Sequence, residues 1–435
     1  MKLFKNNSGL ILVIILSIIP IIIWLFMKPL ADRFTSFGMT FRSLGQITGL
    51  LGMALLSINF ILAARFKFLD KLFNGLNRVY IKHHTIGALA FCLILFHPVF
   101  LIIQYLFISL KASFLFVFSF QDLALNLGKI AILVFIVLMV ITFYLKFKYE
   151  NWKNTHKYLG IVLFLSGLHM FLIPSDISNN TTLKYYMIIL AMLGACSYIY
   201  RTILQVYKKD EYQYKLEEII RVNDDIAELK LSSLSKRMRF LPGQFVFLRF
   251  QEKGILSESH PFSITSSPSD DHLSLGIKTL GDYTSMIYLL KPGVTCSIEG
   301  PFGSFSYLKG ESKRQIWIAG GIGITPFLSM ARQINTKKAE FNSYNIDLYY
   351  SVKNTSELAF AIEFEQIARQ NNNFKFHPYL SEKDSYISVS LVSKNEDINI
   401  DIFLCGPKKF MKSLREQFIN LGFINNKIHS EEFSL

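Results

Sequence analysis

The chain has 435 residues, of which 51% are hydrophobic, and a formal net charge of +14. This length allows two or three domains. The four cysteines include no CxxC pair, which argues against a disulfide framework, a zinc site and a cysteine-ligated iron–sulfur cluster. Much of the basic excess lies in short loops between apolar segments. We therefore expect membrane lipid, and not nucleic acid, as the partner of this charge.

Six apolar segments in the first half are long enough to span about 30 Å of hydrocarbon. They cover residues 10–27, 41–64, 79–108, 127–145, 157–173 and 183–206. The first segment lacks a small-residue cleavage site and five more follow it, so we interpret it as a retained span and not as a signal peptide. After residue 207 the composition becomes that of a water-soluble protein.

The loop charges predict the orientation of these spans. Most basic residues follow spans 2, 4 and 6: Arg65, Lys67, Lys71, Arg78, Lys82, Lys146, Lys148, Lys153, Lys157, Arg201, Lys208 and Lys209. The loop after span 3 has only Lys111, and the loop after span 5 has no basic residue before Lys184. The positive-inside rule then places both termini and the soluble half in the cytoplasm of a multi-pass cell (plasma) membrane protein.

Spans 3 and 5 each carry two histidines, although ionisable residues are rare inside membrane helices. His83 and His97 belong to span 3, and His156 and His169 belong to span 5. In each span the two histidines are separated by roughly 20 Å along a helix. Neutral imidazole is an axial ligand of haem iron. The pattern predicts an inner haem between His83 and His156 and an outer haem between His97 and His169.

His84 is an alternative to His83 as the inner ligand. Fourteen residues return to within about 40° of the same helix face, which favours His83 as the residue aligned with His97. Span 5, however, uses a spacing of thirteen, so His84 stays open. A glycine follows the inner histidine by four residues in both spans, at Gly87 and Gly160. Glycine there would let a flat macrocycle approach the backbone.

The first part of the soluble half is typical of a small β-barrel. Segments 214–222, 226–233 and 244–250 have strand length and strand patterning. They are followed by HPFSITSSP at 260–268, GIKTLGDYT at 276–284 and GPFGSF at 300–305. Each of these motifs is a weak signal alone, and their order carries the information.

The last part predicts alternating strands and helices. Residues 316–331, IWIAGGIGITPFLSMA, have the pattern of an apolar strand, a glycine turn and a helix that starts with proline. Strands at 346–354, 373–380 and 400–407 and helices at 356–370 and 408–418 follow. This alternation indicates a parallel sheet whose ligand lies at the carboxyl ends of the strands, with a pyrophosphate at the N-terminus of the first helix.

Taken together, these motifs resemble the NADPH oxidase and ferric reductase transmembrane superfamily over nearly the whole chain, and most of all its bacterial single-chain NADPH oxidases. The resemblance implies a multidomain fold. A six-helix transmembrane bundle with two b-type haems would occupy residues 1–207. A ferredoxin-NADP-reductase-like unit would follow, with an FAD-binding β-barrel at 208–308 and an NADPH-binding α/β domain at 309–435.

The resemblance also implies site residues. Those for FAD are His260, Pro261, Phe262, Ser263, Thr265, Lys278, Thr284 and Phe433. Ser263 would contact the edge of the isoalloxazine ring, and Lys278 and Thr284 would contact the pyrophosphate. Phe433 would cover the flavin. Family members often have a second aromatic residue near the C-terminus, but this chain has Leu435 at that place. Those for NADPH are Gly320, Gly321, Gly323, Thr325, Pro326, Ser351, Lys353, Cys405, Gly406 and Pro407.

The end of the second strand predicts the choice of nucleotide. Ser351 and Lys353 stand where a 2′-phosphate would bind, and no acidic residue in YYSVKN would hold a free ribose 2′-hydroxyl. We therefore expect NADPH, with NADH possible as a second donor. Lysine lacks the bidentate phosphate contact of arginine, so the expected preference is moderate.

The resemblance implies electron transfer from NADPH through FAD and two haems to an extracellular acceptor, foremost O2 giving superoxide. A ferric-chelate reductase of the same architecture is the alternative, and a haem-free transporter or sensor with a nucleotide-binding domain is the alternative of another class. No EF-hand loop precedes span 1 and no Pro-rich segment occurs, so we expect no obligatory regulatory subunit.

Overall fold

The computed structural model describes residues 7–145, 149–204, 212–251, 259–384, 386–392 and 396–431. The chain divides into two compact units, Met1–Lys209 and Asp210–Leu435.

Helices build the first unit, and most of them are long and apolar. They are α1 (Ser8–Phe26), α2 (Phe37–Ala63), α3 (Leu76–Leu106), α4 (Leu123–Tyr144), the short polar α5 (Tyr149–Lys157), α6 (Leu159–Leu172) and α7 (Thr181–Ile199). Short helices at Leu30–Arg33, Lys67–Leu72, Leu110–Phe118 and Asp176–Asn179 lie in the connections. Among the residues that the structure describes, five helices are long and apolar enough to cross a membrane: α1, α2, α3, α4 and α7. They correspond to predicted spans 1 to 4 and 6.

The fifth predicted span, residues 157–173, corresponds to one short helix, and His156 lies in the helix before it. Residues 149–172 form two helices, α5 and α6, which are interrupted at Tyr158. Helix α6 has 14 residues, about 21 Å of rise, and is too short to cross the hydrocarbon alone. His156 belongs to α5 and His169 to α6. Because the helical phase is broken between them, a spacing of thirteen residues can still place both rings on one side.

A buried ion pair ties the connection after α1 to the connection before α7. Arg33 is 3% exposed and Asp176 is 6% exposed, and the guanidinium Nη1 lies 3.2 Å from the carboxylate Oδ2. The Trp24 indole also donates to this oxygen, at 3.0 Å, and its ring lies 3.5 Å from the guanidinium carbon. A buried charge is stable only when it is paired and hydrogen-bonded, so each partner fixes the other's segment.

The second unit begins with a closed antiparallel barrel. Its strands are β1 (Tyr212–Arg221), β2 (Ile226–Ser233), β3 (Phe245–Phe250), β4 (His260–Ile264), β5 (Leu273–Lys278) and β6 (Thr295–Phe302), in the order β1-β2-β5-β4-β3-β6. Helix α8 (Asp282–Met286) follows β5. Buried side chains such as Leu229, Leu248 and Leu275 fill the barrel. The predicted small barrel is confirmed.

A five-stranded parallel sheet completes the second unit. Its strands are β7 (Arg314–Gly320), β8 (Asn345–Val352), β9 (Phe374–Leu380), β10 (Asp401–Cys405) and β11 (Ile428–Glu431), in the order β11-β10-β7-β8-β9. The helices are α9 (Thr325–Thr336), α10 (Ala361–Gln370) and α11 (Lys408–Asn420). Trp317 of β7 packs in one core with α9 and α10, and Ile318 packs in another core with α11. Helices therefore cover both faces of the sheet.

Two details of this sheet differ from the sequence prediction. The helix predicted at 356–370 begins only at Ala361, because residues Thr355–Glu357 form a 3-10 turn and Phe360 adopts a left-handed backbone with φ 59°. Strand β11 is absent from the sequence prediction. It pairs in parallel with β10 and makes the C-terminal segment part of the sheet.

Matching contacts fasten both outer strands of the sheet. His377 on β9 bonds to Asp347 on β8, and His429 on β11 bonds to Asp401 on β10, each through Nε2 at 2.6 Å from Oδ1. Each imidazole also stacks on an aromatic ring of the inner strand, with centroids 4.6 and 4.5 Å apart. Both carboxylates are buried, so these bonds replace the water that the charges lose.

These contacts make the second unit sensitive to acid. Burial raises the pKa of Asp347, but bonds from His377 and Arg314 outweigh it and hold the pKa below its usual value; His429 and the Ser312 amide do the same for Asp401. Their stabilisation is complete above the unfolded pKa, about 3.9, and is lost as the pH falls through the lower folded pKa.

We expect Asp347→Asn to lower the free energy of unfolding by about 1–3 kcal/mol at pH 7 and to flatten its decline below about pH 4. The measurement is thermal unfolding of the full-length protein in detergent as a function of pH. Asp271→Asn is the control, because this side chain is fully exposed and its ion pair contributes little. Equal losses of unfolding free energy in Asp347→Asn and Asp271→Asn would contradict the stabilising role of the buried Asp347 carboxylate.

Candidate functional site

Two pairs of histidine rings lie close together in the first unit, with interplanar angles of 72° and 66°. The ring centroids of His83 and His156 are 6.3 Å apart, and those of His97 and His169 are 6.5 Å apart. One iron between two imidazoles needs about 2 Å for each metal–nitrogen bond and about 1 Å from each nitrogen to its ring centre, or about 6 Å in all. The predicted pairs therefore have the spacing of a bis-histidine haem site.

The second ring nitrogen has a backbone partner in three of the four histidines. Their Nδ1 atoms lie within hydrogen-bond distance of carbonyl oxygens: His97 and Gly45 at 2.7 Å, His169 and Ala124 at 2.7 Å, His83 and Asn59 at 3.2 Å. A nitrogen that faces a carbonyl must carry the proton, which leaves Nε2 unprotonated and able to bind a metal. The fourth, Nδ1 of His156, is buried without a partner among the described residues.

The ring contact with His156 is made by His83, which favours His83 over His84 as the inner ligand. His84 is exposed, and its ring lies 5.8 Å from that of His83, edge to face. The two glycines lie against side chains of neighbouring helices. A Cβ at Gly87 would lie 2.7 Å from Asn59 Nδ2, and one at Gly160 would lie 2.2 Å from the Tyr198 ring. Approach of a macrocycle to these glycines stays a prediction.

The predicted flavin residues cluster on β4, β5 and α8. His260, Pro261, Phe262 and Ser263 all belong to β4, and the His260 ring lies 4.0 Å from the Tyr283 ring of α8. Ser263 is buried and pairs with β3 on one side and β5 on the other.

The two predicted pyrophosphate residues lie beyond this strand. Lys278 ends β5, and Thr284 lies in α8, where its hydroxyl accepts from the amides of Leu280 and Gly281 at 2.9 and 3.1 Å. The Thr284 hydroxyl thus caps its own helix. Phe433, the predicted flavin cover, lies outside the described residues.

Thr265 makes a contact other than the predicted one. Its side chain is fully buried, and its hydroxyl donates to Glu228 Oε1 at 2.5 Å. The chain after β4 turns toward the nucleotide-binding domain: the Ser329 hydroxyl of α9 bonds to the Ser266 carbonyl at 2.7 Å. Thr265 therefore takes part in the contact between barrel and sheet, and its role beside FAD stays a prediction.

Arg332 of α9 organises this contact. Its guanidinium donates to both oxygens of Glu228 on β2, at 2.6 and 3.2 Å, and to both oxygens of Glu363 on α10, at 2.6 and 2.8 Å. It also reaches the Thr265 carbonyl at 3.2 Å. Bidentate pairs of this kind fix orientation as well as distance. They hold the barrel against the helix that follows the glycine turn.

The predicted nucleotide residues meet at the carboxyl ends of β7 and β10. Strand β7 ends at Gly320, a 3-10 turn covers Gly321–Ile324, and α9 begins at Thr325 with Pro326 in its first turn. Gly321 has φ +54°, which favours glycine. A Cβ at Gly323 would lie 2.4 Å from the Cys405 carbonyl oxygen. The glycine turn is therefore in direct contact with the CGP motif, which continues through Gly406 to Pro407, the N-cap of α11.

Glu431 is a buried site residue that the sequence reasoning missed. It is 4% exposed and pairs with Cys405 across β10 and β11. A Cβ at Gly303 would lie 3.0 Å from its Oε1, so the carboxylate also reaches the GPFG segment. Burial, with a contribution from Glu431, raises the pKa of the Cys405 thiol well above its ordinary value, so the thiol stays protonated. The signal in the sequence is the acidic pair in HSEEFSL, next to the aromatic residue predicted to cover the flavin.

Two carboxylates surround the residues predicted to select the nucleotide. Ser351 lies near the end of β8, and Lys353 follows it with a 67% exposed side chain. Glu382 lies 3.6 Å from the Lys353 Nζ, and Glu357 accepts from the Lys353 amide at 3.2 Å. The expectation of no acidic group at this place is wrong, because the turn after β8 and the end of β9 bring these two side chains back to it.

Comparisons with known proteins agree with this arrangement. Residues 48–167 match the family "Ferric reductase like transmembrane component", residues 211–306 match "FAD-binding domain" and residues 317–416 match "Oxidoreductase NAD-binding domain".

Two relatives illustrate the similarity. The chain is 24% identical over 331 residues to a superoxide-generating NADPH oxidase heavy chain of Dictyostelium discoideum, with 61% of this chain and 60% of that protein covered. It is 27% identical over 222 residues to the 2-halobenzoate 1,2-dioxygenase electron transfer component of Burkholderia cepacia, with 48% and 63% covered. The chain thus spans about 60% of the length of these relatives.

A solved flavohemoglobin from Malassezia yamatoensis has a similar fold, with a TM-score of 0.50 at 18% identity, over 91% of this chain and 97% of that one. The matches to the transmembrane, FAD-binding and NAD-binding domains follow one another along this chain in the order of its structural parts. The chain therefore combines a ferric reductase-like transmembrane domain with an FAD-binding domain and an oxidoreductase NAD-binding domain.

Proposed function

We propose that this protein transfers electrons from cytoplasmic NADPH across the cell membrane to O2, which leaves as superoxide, and that it uses FAD and two b-type haems. The observation that carries the proposal is the pair of histidine couples with centroids 6.3 and 6.5 Å apart. Electron transfer across about 30 Å of hydrocarbon needs intermediate stations, and two such couples in one helical unit supply them.

The histidines would hold the irons through Nε2. In His83, His97 and His169, Nδ1 is hydrogen-bonded to a backbone carbonyl. This bond fixes the orientation of the ring and therefore the direction of Nε2. Two imidazoles per iron leave no coordination position for O2, so the acceptor would be reduced without binding the metal. The same couples argue against a haem-free transporter or sensor, which has no need for them.

The residues of the second unit would bind and align the two-electron donor. When bound, FAD accepts a hydride from NADPH and releases electrons one at a time. The glycine turn and the N-terminus of α9 offer backbone amides to a pyrophosphate. Cys405 is buried beside this turn, and Glu431 is buried next to Cys405 on the neighbouring strand. Arg332 keeps the flavin strand at a fixed distance from the nucleotide turn.

The acceptor is tested with the purified full-length protein, FAD and NADPH in detergent. We expect haem absorption bands and reduction of cytochrome c that superoxide dismutase abolishes. The purified chain alone should be active, since we propose no obligatory regulatory subunit. Reduction that dismutase leaves unchanged, with rapid turnover of ferric chelates, would instead identify a metal reductase.

Two other outcomes would contradict separate parts of the proposal. Absence of haem bands would contradict the role of the histidine couples. Activity that requires an added cell extract would contradict independence from a regulatory subunit.

The ligand assignment predicts the haem content of variants. His83→Ala and His156→Ala should each reduce the content from two haems per chain to one, because either substitution removes an axial ligand of the same iron. His84→Ala is the matched control and should retain two, since its ring is exposed. The measurement is the pyridine haemochrome spectrum per mole of protein. Loss of a haem in His84→Ala with none in His83→Ala would reverse the assignment.

The nucleotide preference is tested at Lys353. Lys353→Ala should raise the KM for NADPH about fivefold, the equivalent of about 1 kcal/mol for one exposed charge pair, and leave the KM for NADH unchanged. The neighbouring Glu357 and Glu382 keep the native preference moderate. Lys375→Ala, at the amino end of β9, is the control for a lost surface charge. The assay is steady-state reduction of ferricyanide, and equal changes for both nucleotides would contradict the role.

A further inference from the structure

The couple His97–His169 is held by two copies of one backbone arrangement. His97 bonds to the carbonyl of Gly45 on α2, and residue 49, one helical turn later, is glycine. His169 bonds to the carbonyl of Ala124 on α4, and residue 128, again one turn later, is glycine. Both Nδ1–oxygen distances are 2.7 Å, so the two neighbouring helices hold the two rings in the same way.

Helix geometry explains why a glycine stands at that position. The carbonyl of residue i points toward residue i+4, and the Cβ of residue i+4 tilts back toward the helix N-terminus and so leans over that carbonyl. A Cβ at Gly49 would lie 2.7 Å from His97 Nδ1, and one at Gly128 would lie 2.8 Å from His169 Nδ1. Neither approach is compatible with van der Waals radii, so a side chain would push the imidazole off its acceptor.

The other couple lacks this arrangement. His83 lies 3.2 Å from the Asn59 carbonyl, and residue 63, one turn later, is alanine. His156, at the end of α5, has no partner for Nδ1 in the part of the chain that the structure describes. Among the four histidines, only His97 and His169 thus bond to a carbonyl that is followed by a glycine one helical turn later in the part of the chain that the structure describes.

We infer that Gly49 and Gly128 are positioning residues for the haem held by His97 and His169. They give each imidazole access to a helix carbonyl, and that bond sets both the direction and the basicity of Nε2. A proton shared with a carbonyl makes the imidazole a stronger donor to iron, which stabilises the ferric state and lowers the reduction potential. This inference rests on the proposed ligation by these two histidines.

The test compares Gly49→Ala and Gly128→Ala with the wild type and with Gly167→Ala. A Cβ at Gly167 of α6 would meet only Met53 Cε, at 3.9 Å, so this control adds the same methyl group without a clash. The full-length proteins are purified in detergent. Haem content, the midpoint potential of each haem by spectroelectrochemistry and the electron paramagnetic resonance of the low-spin ferric haems are then measured.

Each alanine at 49 or 128 should shift one haem to a higher potential and change its ferric signal, or cause the loss of that one haem, while the other haem keeps its wild-type values. Gly167→Ala should leave both haems unchanged. The two glycines lie on different helices, so one variant remains informative if the other fails to fold.

Three results would overturn the inference. They are two haems with wild-type potentials and signals in both variants, equal changes at both haems, and equal changes in Gly167→Ala. Absence of haem from the wild type would instead remove the proposed function on which the inference rests, so the two failures are distinguishable.

Discussion

An imidazole inside hydrocarbon has two ring nitrogens and no water, and each nitrogen needs a partner. This constraint organises the first unit. Helix α2 provides acceptors at Gly45 and Asn59, fourteen residues apart, and α3 carries His97 and His83 at the same interval. Because both intervals are fourteen residues, the antiparallel helices α2 and α3 bring one carbonyl to one imidazole at each of the two levels of the bundle. The placement of α2 therefore orients one histidine of each couple, and the carbonyl of Ala124 on α4 orients His169.

In the second unit, buried ion pairs and hydrogen bonds between strands and helices hold the site segments in place. Arg332 lies on α9, the helix that follows the glycine turn. It binds Glu228 of the barrel and Glu363 of α10, which belong to distant parts of the chain. The bonds of His377 and His429 fasten the outer strands to the sheet. The turn itself packs against the CGP motif through Gly323 and into the core through Ile324. These contacts and the surrounding bonds together fix its position.

The sequence predicted what is local and periodic. The apolar spans, the barrel strands and the alternation of strands and helices follow from residue patterns, and spacing favoured His83 over His84 without excluding His84. The contacts that it missed join residues far apart in the chain: Thr265 with Glu228, Arg332 with both carboxylates, and Glu431 with Cys405. No local pattern marks such pairs. The break at Tyr158 left one trace, the unequal spacing of thirteen and fourteen, but spacing alone does not locate an interruption.

The two histidine couples look equivalent in the sequence and are built differently. The couple at His97 and His169 is anchored to continuous helices on both sides, whereas His156 ends a helix that is broken two residues later. In the part of the chain that the structure describes, no carbonyl accepts from Nδ1 of His156. As ligands of the proposed haems, the two imidazoles of that couple would differ in basicity, while those of the other couple would be matched. Equal spacing in a sequence specifies which residues meet, and the neighbouring backbone decides how strongly each can donate to a metal.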